Sequence, residues 1–407
     1  MAREAQAARL PIQSLVDKVS AYFTWVVMMT AAAALIAWLS LGAPLYLAVL
    51  HMASVLVVAC PCALGLATPM SIVVGINKAA QDGVLIKRGE ALEKLSGVRV
   101  IAFDKTGTLT EGAPRVINAI IDKESLILAA SAEYPSNHPL AKAIVKYAES
   151  MGIKPINATE FNQLEGMGVI AVINSRSVGV GNVRLVKGME AGLSPEFKQL
   201  SEAIEREGYT PLFVVIDGVV KGVLAVGDPL RADAYDAING VKEMGLRTIM
   251  LTGDAEGPAY TVAKVLGIDD VYAGLMPNDK ARIIRDVKAK YGSVAVVGDG
   301  INDAVALNEA DVGIAMGTGS DVAKEAGDIV LVSSSLKVIP RLIRLSRTVV
   351  SNIKFNILYA FAYNIALIPV AAGVIPNLTL RPELAGLAMA LSSLTVTLNA
   401  YSIKLRS

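Results

Sequence analysis

The sequence predicts a set of membrane-spanning α-helices joined to a doubly wound α/β domain that carries an inserted α+β domain. Three observations predict it. The 407-residue chain is 53% hydrophobic with a mean hydropathy of +0.50, more apolar than an ordinary water-soluble chain. Residues 19–77, 59 positions between Lys18 and Lys78, contain no Asp, Glu, Lys or Arg. Between about residues 98 and 332, apolar strand-like runs alternate with helical patterns, the order expected of a parallel sheet with helices on both faces.

Taken in order, residues 1–20 are a polar, charged lead-in without the apolar region and cleavage site of a signal peptide. Residues 21–78 are long enough for two spans of about 20 residues, joined near Gly42-Ala43-Pro44. Two more charge-free stretches, 355–380 and 384–403, predict a second pair of spans within 336–407. Basic residues flank these stretches at Lys78, Lys87 and Arg88, at Arg341, Arg344, Arg347 and Lys354, and at Lys404 and Arg406. The positive-inside bias then puts the middle of the chain and both termini in the cytoplasm, with the plasma membrane as the expected location and membrane lipid as a partner. A net charge of +1 with no Lys/Arg block excludes nucleic acid as a partner.

In the soluble middle, the apolar runs 248–251, 293–297 and 312–315 each end in a Gly- and Asp-rich turn. From residue 111 to about 219 the pattern changes to helices with short alternating strands at 169–173, 177–180 and 213–216. This predicts one domain from 79–112 and 220–335, interrupted by a second from 113–219.

The run 98–103 leads into Asp104-Lys105-Thr106-Gly107-Thr108-Leu109-Thr110, which sets a carboxylate at the end of a buried strand, where α/β folds place their chemistry. A lone aspartate there would usually cap a turn. With a lysine beside it and a Thr-Gly-Thr turn whose amides can cradle phosphate, it suits attack on the γ-phosphate of ATP. Further along, Thr252-Gly253-Asp254 offers a hydroxyl and an amide, Lys280 a cation, and Asp299-Gly300-Ile301-Asn302-Asp303 two carboxylates. Each has a structural explanation alone. Their order at successive strand ends assembles a nucleophile, a phosphate-holding hydroxyl, a neutralising lysine and carboxylates for Mg²⁺.

The heptad 104–110 resembles the phosphorylation signature of P-type ATPases. The order of the later turns, including Gly227-Asp228-Pro229-Leu230-Arg231-Ala232-Asp233, resembles their haloacid-dehalogenase-like phosphorylation domain. The resemblance implies that Asp104 is phosphorylated and that Thr252 and Lys280 hold the phosphoryl group, with Lys105, Gly253 and Asp254 in the same catalytic set. It also implies that Asp299 coordinates Mg²⁺ with Asp104 and the carbonyl of Thr106, supported by Asn302 and Asp303. Glu133, His138-Pro139, Gly166-Met167-Gly168 and Gly179-Val180-Gly181-Asn182 look like the nucleotide site of the heavy-metal-transporting branch. There the histidine packs on adenine and the glycines let backbone approach it.

Cys60 and Cys62 flank Pro61 inside the second expected span. In a regular helix residues two apart point about 200° from each other, but a proline opens the helix and lets two thiolates converge. This Cys-Pro-Cys is similar to the signature of heavy-metal P-type ATPases. Tyr363-Asn364 in the third span and Met389 with Ser393 in the fourth complete a set that resembles the copper branch. Soft thiolate and thioether donors favour Cu(I), and the expected spans contain no carboxylate. His51 reads as a polar spot near the outer interface rather than a ligand.

The chain contains no Thr-Gly-Glu, and its opening residues resemble the segment that follows the actuator domain of these pumps. The expectation is the truncated catalytic and metal-binding part of an ATP-driven Cu(I) exporter. Its partners would be a chain carrying the actuator domain and first helices, or a copper chaperone. Two other functions fit the pattern: a non-transporting copper-binding or regulatory membrane protein, and a membrane-anchored phosphatase of the same superfamily. The phosphatase fits least, because the position two after the nucleophile is Thr106 rather than a second aspartate.

Overall fold

The computed structural model describes residues 11–59, 62–254, 256–375 and 380–406. The chain divides into two compact units, one formed by residues 1–98, 311–317 and 327–407, the other by residues 99–310 and 318–326.

The first unit is largely helical. Three of its helices contain stretches long and apolar enough to cross a membrane: Lys18–Ser40, Val338–Ala371 and Pro382–Tyr401. Their outward side chains include Tyr22, Trp25 and Met29, which only a lipid environment or another apolar surface suits. Within the stretch expected to form the second span there are two helices, Leu45–Val58 and Cys62–Gln81. Cys60 and Pro61, which lie between them, are outside the described residues. Glu383, just before the charge-free stretch 384–403, sits in the first turn of Pro382–Tyr401.

The helices bury two small apolar clusters, one around Val27, Val55 and Ala371, the other around Leu64, Ala360 and Val396. Asparagines stitch them further. Ser71 and Asn356 both donate to Asn352 Oδ1 (2.9 and 3.0 Å), Asn352 donates to the Asn399 carbonyl (2.9 Å), and Asn399 donates to Asn356 Oδ1 (2.7 Å). At the end of the helices near Ser40, the buried His51 stacks on Trp38 at 4.8 Å and donates from Nδ1 to the Ala371 carbonyl at 2.9 Å. Both polar ends of this stack are thus satisfied, as Trp38 Nε1 donates to the Ala372 carbonyl. The unit is completed by the helix Gly89–Ser96, packed on Val338–Ala371, and by a short strand, Val84–Ile86, antiparallel to Ile329–Leu331.

The second unit carries two sheets. In one, Val294–Gly298, Val100–Asp104, Arg247–Leu251 and Asp270–Tyr272 run parallel in that order. The first three are almost wholly buried runs of apolar residues, as strands covered on both faces must be. The other is a six-stranded antiparallel sheet from Arg115 to Gly227. Helices Lys123–Glu133 and Pro139–Ser150 cover one face around Ile144, Val180 and Val214. The other face buries Phe213 and Val223 against Val186 and Ile204. This sheet extends the insertion past the expected 113–219, because Val219–Gly227 is the strand that pairs with Arg115–Ile120.

Candidate active site

Register places the chemistry. Asp104 lies level with Leu251 on one side, and Phe103 lies level with Val297 on the other, so Thr252 and Asp299 each follow directly beyond the level of Asp104. Three chains therefore leave the sheet at one carboxyl edge, where backbone groups are no longer used by the ladder.

Lys280, in the second turn of Pro277–Tyr291, reaches this edge and donates to Asp104 Oδ1 at 2.6 Å and to Asp303 Oδ1 at 2.7 Å. All three side chains are buried, less than a tenth exposed. Asp303 also accepts from the Gly300 amide at 3.1 Å. Carboxylate oxygens of Asp104, Asp299 and Asp303 lie within 4.8 Å of one another. One ammonium cannot balance three carboxylates. Burial first, and then the charge of Asp303, push Asp104 up to about 7 against the pull of Lys280. The same two causes push Asp299 up to about 6, opposed by Arg231. For Lys280, burial works against its charge, but Asp104 and Asp303 outweigh it and hold its pKa above the ordinary value. A hard, all-oxygen cluster with surplus negative charge is the donor chemistry that suits Mg²⁺.

The turn after Asp104 is shaped to fit against this cluster. Gly107 has φ of +74°, and a Cβ there would lie 1.9 Å from Asp299 Oδ2, so only glycine leaves room for that carboxylate. Lys105 bends away to pair with Asp254 at 2.5 Å. Thr252, 1% exposed, accepts from the Asp254 amide at 3.1 Å, which fixes the Thr252-Gly253-Asp254 turn. The Thr108 hydroxyl is buried with no hydrogen-bond partner among the described residues. Thr106 and Asn302 are exposed, and Asn302 makes no hydrogen bond to the cluster among the described residues.

Residues given no role from sequence hold the turn in place. Arg231 donates from Nε to the Thr108 carbonyl (3.0 Å) and from Nη2 to the Gly107 carbonyl (2.9 Å). Asp228 accepts from Thr110 Oγ1 (2.5 Å) and from the amides of Gly112 and Ala113 (3.1 Å each). The Ser320 amide donates to the Asp299 carbonyl at 2.7 Å. The signal for Arg231 and Asp228 was the Gly227–Asp233 stretch itself, whose polar residues have no place in a buried strand.

In the inserted sheet, Glu133, His138, Gly166, Gly168 and Asn182 line one cavity of about 380 Å³. His138 begins the helix Pro139–Ser150, its Nδ1 accepting from the Leu140 amide at 3.2 Å while the ring stays exposed. Asn182 donates to the Gly166 carbonyl at 2.9 Å and caps the next helix through the Arg184 amide. Glu133 is 5% exposed, and burial pushes it up to about 7. Gly168 also has a reason internal to the protein: a Cβ there would meet the Val180 carbonyl at 2.2 Å.

Of the expected metal set, Cys60 lies outside the described residues, as does the side chain of Cys62. Tyr363 and Asn364 stand on Val338–Ala371, and the half-buried Met389 and Ser393 on Pro382–Tyr401. The two helices meet there, since the Tyr363 hydroxyl donates to the Ala388 carbonyl at 2.9 Å.

A family model for haloacid dehalogenase-like hydrolases matches residues 98–311, the stretch that contains Asp104, Thr252, Lys280 and Asp303. A crystal structure of a zinc-transporting PIB-type ATPase in the E2.Pi state superposes with a TM-score of 0.86 at 36% identity, over 98% of this chain and 66% of that one. The chain belongs to the P-type ATPase branch of the haloacid dehalogenase-like hydrolases. Among P-type ATPases it is 45% identical, over 98% of its length, to a copper-exporting enzyme of Staphylococcus haemolyticus, and 43% identical over 99% to one of Legionella pneumophila. It spans 50% and 56% of those relatives, so about half of their length.

Proposed function

We propose that Asp104 accepts the γ-phosphoryl group of ATP, and that this chain is the catalytic and ion-binding part of a membrane pump for Cu(I). The observation that carries the first part is the position of Asp104. It ends a buried strand, is hydrogen-bonded to a buried lysine, and lies against two further carboxylates. A carboxylate oxygen of Asp104 attacks the γ-phosphorus, a new P–O bond forms as the bond to the β–γ bridging oxygen breaks, and ADP leaves with that electron pair. Lys280 favours the charged form of Asp104 in a buried setting and offsets the repulsion between the nucleophile and the triphosphate. Asp104, Asp299 and Asp303 are the residues that would hold Mg²⁺, which when bound neutralises phosphate charge. Arg231 fixes the carbonyls of Gly107 and Thr108, so the turn presents its amides without rearrangement. ATP reaches this edge from the cavity of the inserted sheet, with adenine beside His138 and Glu133.

The choice of Cu(I) rests on soft donors, Cys60, Cys62 and Met389, in helices whose central turns carry no carboxylate to balance a second charge. Copper export by relatives over 98% or more of this chain supports it. The soluble unit is assigned to the cytoplasm, where ATP is available.

The test is incubation of the purified chain with radiolabelled ATP, Mg²⁺ and Cu(I). Acid-stable label should appear in the wild type and be lost in Asp104→Asn; equal labelling of the two would sink the assignment. Loss of Cu(I)-dependent labelling in Cys60→Ser/Cys62→Ser supports the metal reading. Unchanged labelling there would remove copper while leaving Asp104 in place.

A further inference from the structure

We infer that His51 is a release-side station for the transported ion, binding a soft monovalent cation through Nε2; this rests on the reading of the chain as a carrier of such an ion. Among residues 19–77, His51 is the one position taken by Asp, Glu, Lys, Arg or His. It is buried, although it stands on Leu45–Val58 near the end that charge assigns to the outer face. Ionisable side chains buried among spanning helices characteristically mark ion paths. The sequence alone reads His51 as an interfacial polar spot; its surroundings argue for a ligand instead.

The ring is prepared as a ligand in three ways. Its Nδ1 faces the Ala371 carbonyl at 2.9 Å, and a carbonyl can only accept, so the proton sits on Nδ1 and leaves the Nε2 lone pair free. Nε2 makes no hydrogen bond among the described residues. Trp38, stacked at 4.8 Å and 10° from parallel, fixes the plane of the ring. Gly373 leaves the Nε2 edge uncovered, since a Cβ there would lie 2.9 Å from Nε2 and 2.7 Å from Trp38 Cζ2. Ala371 is the last residue of Val338–Ala371, so the ring also stands at the negative end of that helix, which favours a cation. One turn further toward Cys60, Ser54 shares the buried face of the helix, and its hydroxyl has no hydrogen-bond partner among the described residues. An unpaired hydroxyl in hydrocarbon is costly, and an ion with its water passing this point would satisfy it. Imidazole suits copper-group ions, and one imidazole holds them less tightly than two thiolates would. A release station needs that weakness, because the ion must leave.

The experiment is ¹⁵N NMR of the full chain in detergent, labelled with ¹⁵N-histidine and titrated with Ag(I). The chain has two histidines, and the exposed His138 is the reference for an imidazole that no site prepares. His51→Gln assigns the resonances. In the wild type, His51 Nε2 should shift at lower Ag(I) than His138, while Nδ1 keeps its proton. Gly373→Ala should abolish the shift by covering Nε2. In Cys60→Ser/Cys62→Ser the shift should begin with the first equivalent of Ag(I), and in the wild type after the first equivalent is taken up. A shift from the first equivalent in both would strike the cysteine reading and support the station. An unmoved His51 Nε2, a response of His138 at lower Ag(I), or a shift retained in folded Gly373→Ala would each overturn the inference. If Gly373→Ala does not fold, the order of response in the wild type still decides it.

Discussion

Gly107→Ala is the sharpest single-residue probe of the active site. The new methyl group would have to occupy space held by the Asp299 carboxylate, and the residue would also sit at a φ that side chains disfavour. Strain of this kind costs about 1–3 kcal/mol, so phosphate labelling should fall about fivefold to a hundredfold while far-ultraviolet circular dichroism stays unchanged. Normal labelling would show that the turn relaxes freely. Glu133 makes a different prediction. Its carboxyl is pushed from 4.5 to about 7 by burial, so the folded state binds a proton more tightly than the unfolded state. Its contribution to stability is complete below pH 4.5 and is lost as pH rises through about 7. Glu133→Gln, neutral throughout, should gain on the wild type by about 3 kcal/mol across that window. Denaturant unfolding followed at pH 5 and pH 8 measures the gain, and parallel curves for the two proteins would contradict it. Asp104 was legible as a residue because motif and strand end coincide, whereas Lys280 stands on the helix Pro277–Tyr291 rather than at the strand end expected for it. Arg231 was not assigned, because a guanidinium that grips carbonyls leaves no spacing pattern of its own.

At the scale of elements, Asp228 joins the turn after Asp104 to the strand Val219–Gly227 and so to the inserted sheet. Asp228→Ala removes the acceptor for Thr110, Gly112 and Ala113. ATP binding, proposed for the cavity lined by Glu133 and His138, should be nearly unchanged, whereas the labelling rate should fall about tenfold or more as the turn loosens. A parallel loss in nucleotide affinity, read by equilibrium dialysis, would place Asp228 in the binding site instead. The strands that sequence pattern revealed are those with buried alternation or a continuous apolar run, such as Gly168–Ile173 and Arg247–Leu251. Glu160–Leu164 was missed for a physical reason. It is an edge strand with four of five residues exposed, so neither face imposes a hydrophobic period.

For the whole molecule, the exposed apolar girdle predicts that alkaline carbonate leaves the chain in the membrane pellet; release into the supernatant would refute the spans. The contrast between apolar ends and a charged middle was visible in composition alone. The contacts that secure each part were not, because they depend on side chains hundreds of residues apart, such as Trp38 and Ala372. One of these elements has the dimensions of a lever. Val338–Ala371 is a single helix of 34 residues whose internal proline, Pro369, falls only at its far end. The helix Gly89–Ser96 grips it near its start, and the Trp38–His51 stack meets its finish at Ala371 and Ala372. At 1.5 Å per residue it is a lever of about 51 Å, so a tilt of about 5° at one end carries the other through about 4 Å. Small angular work on the short strands and helix at its base would therefore arrive as displacement on the scale of an ion's diameter at its tip.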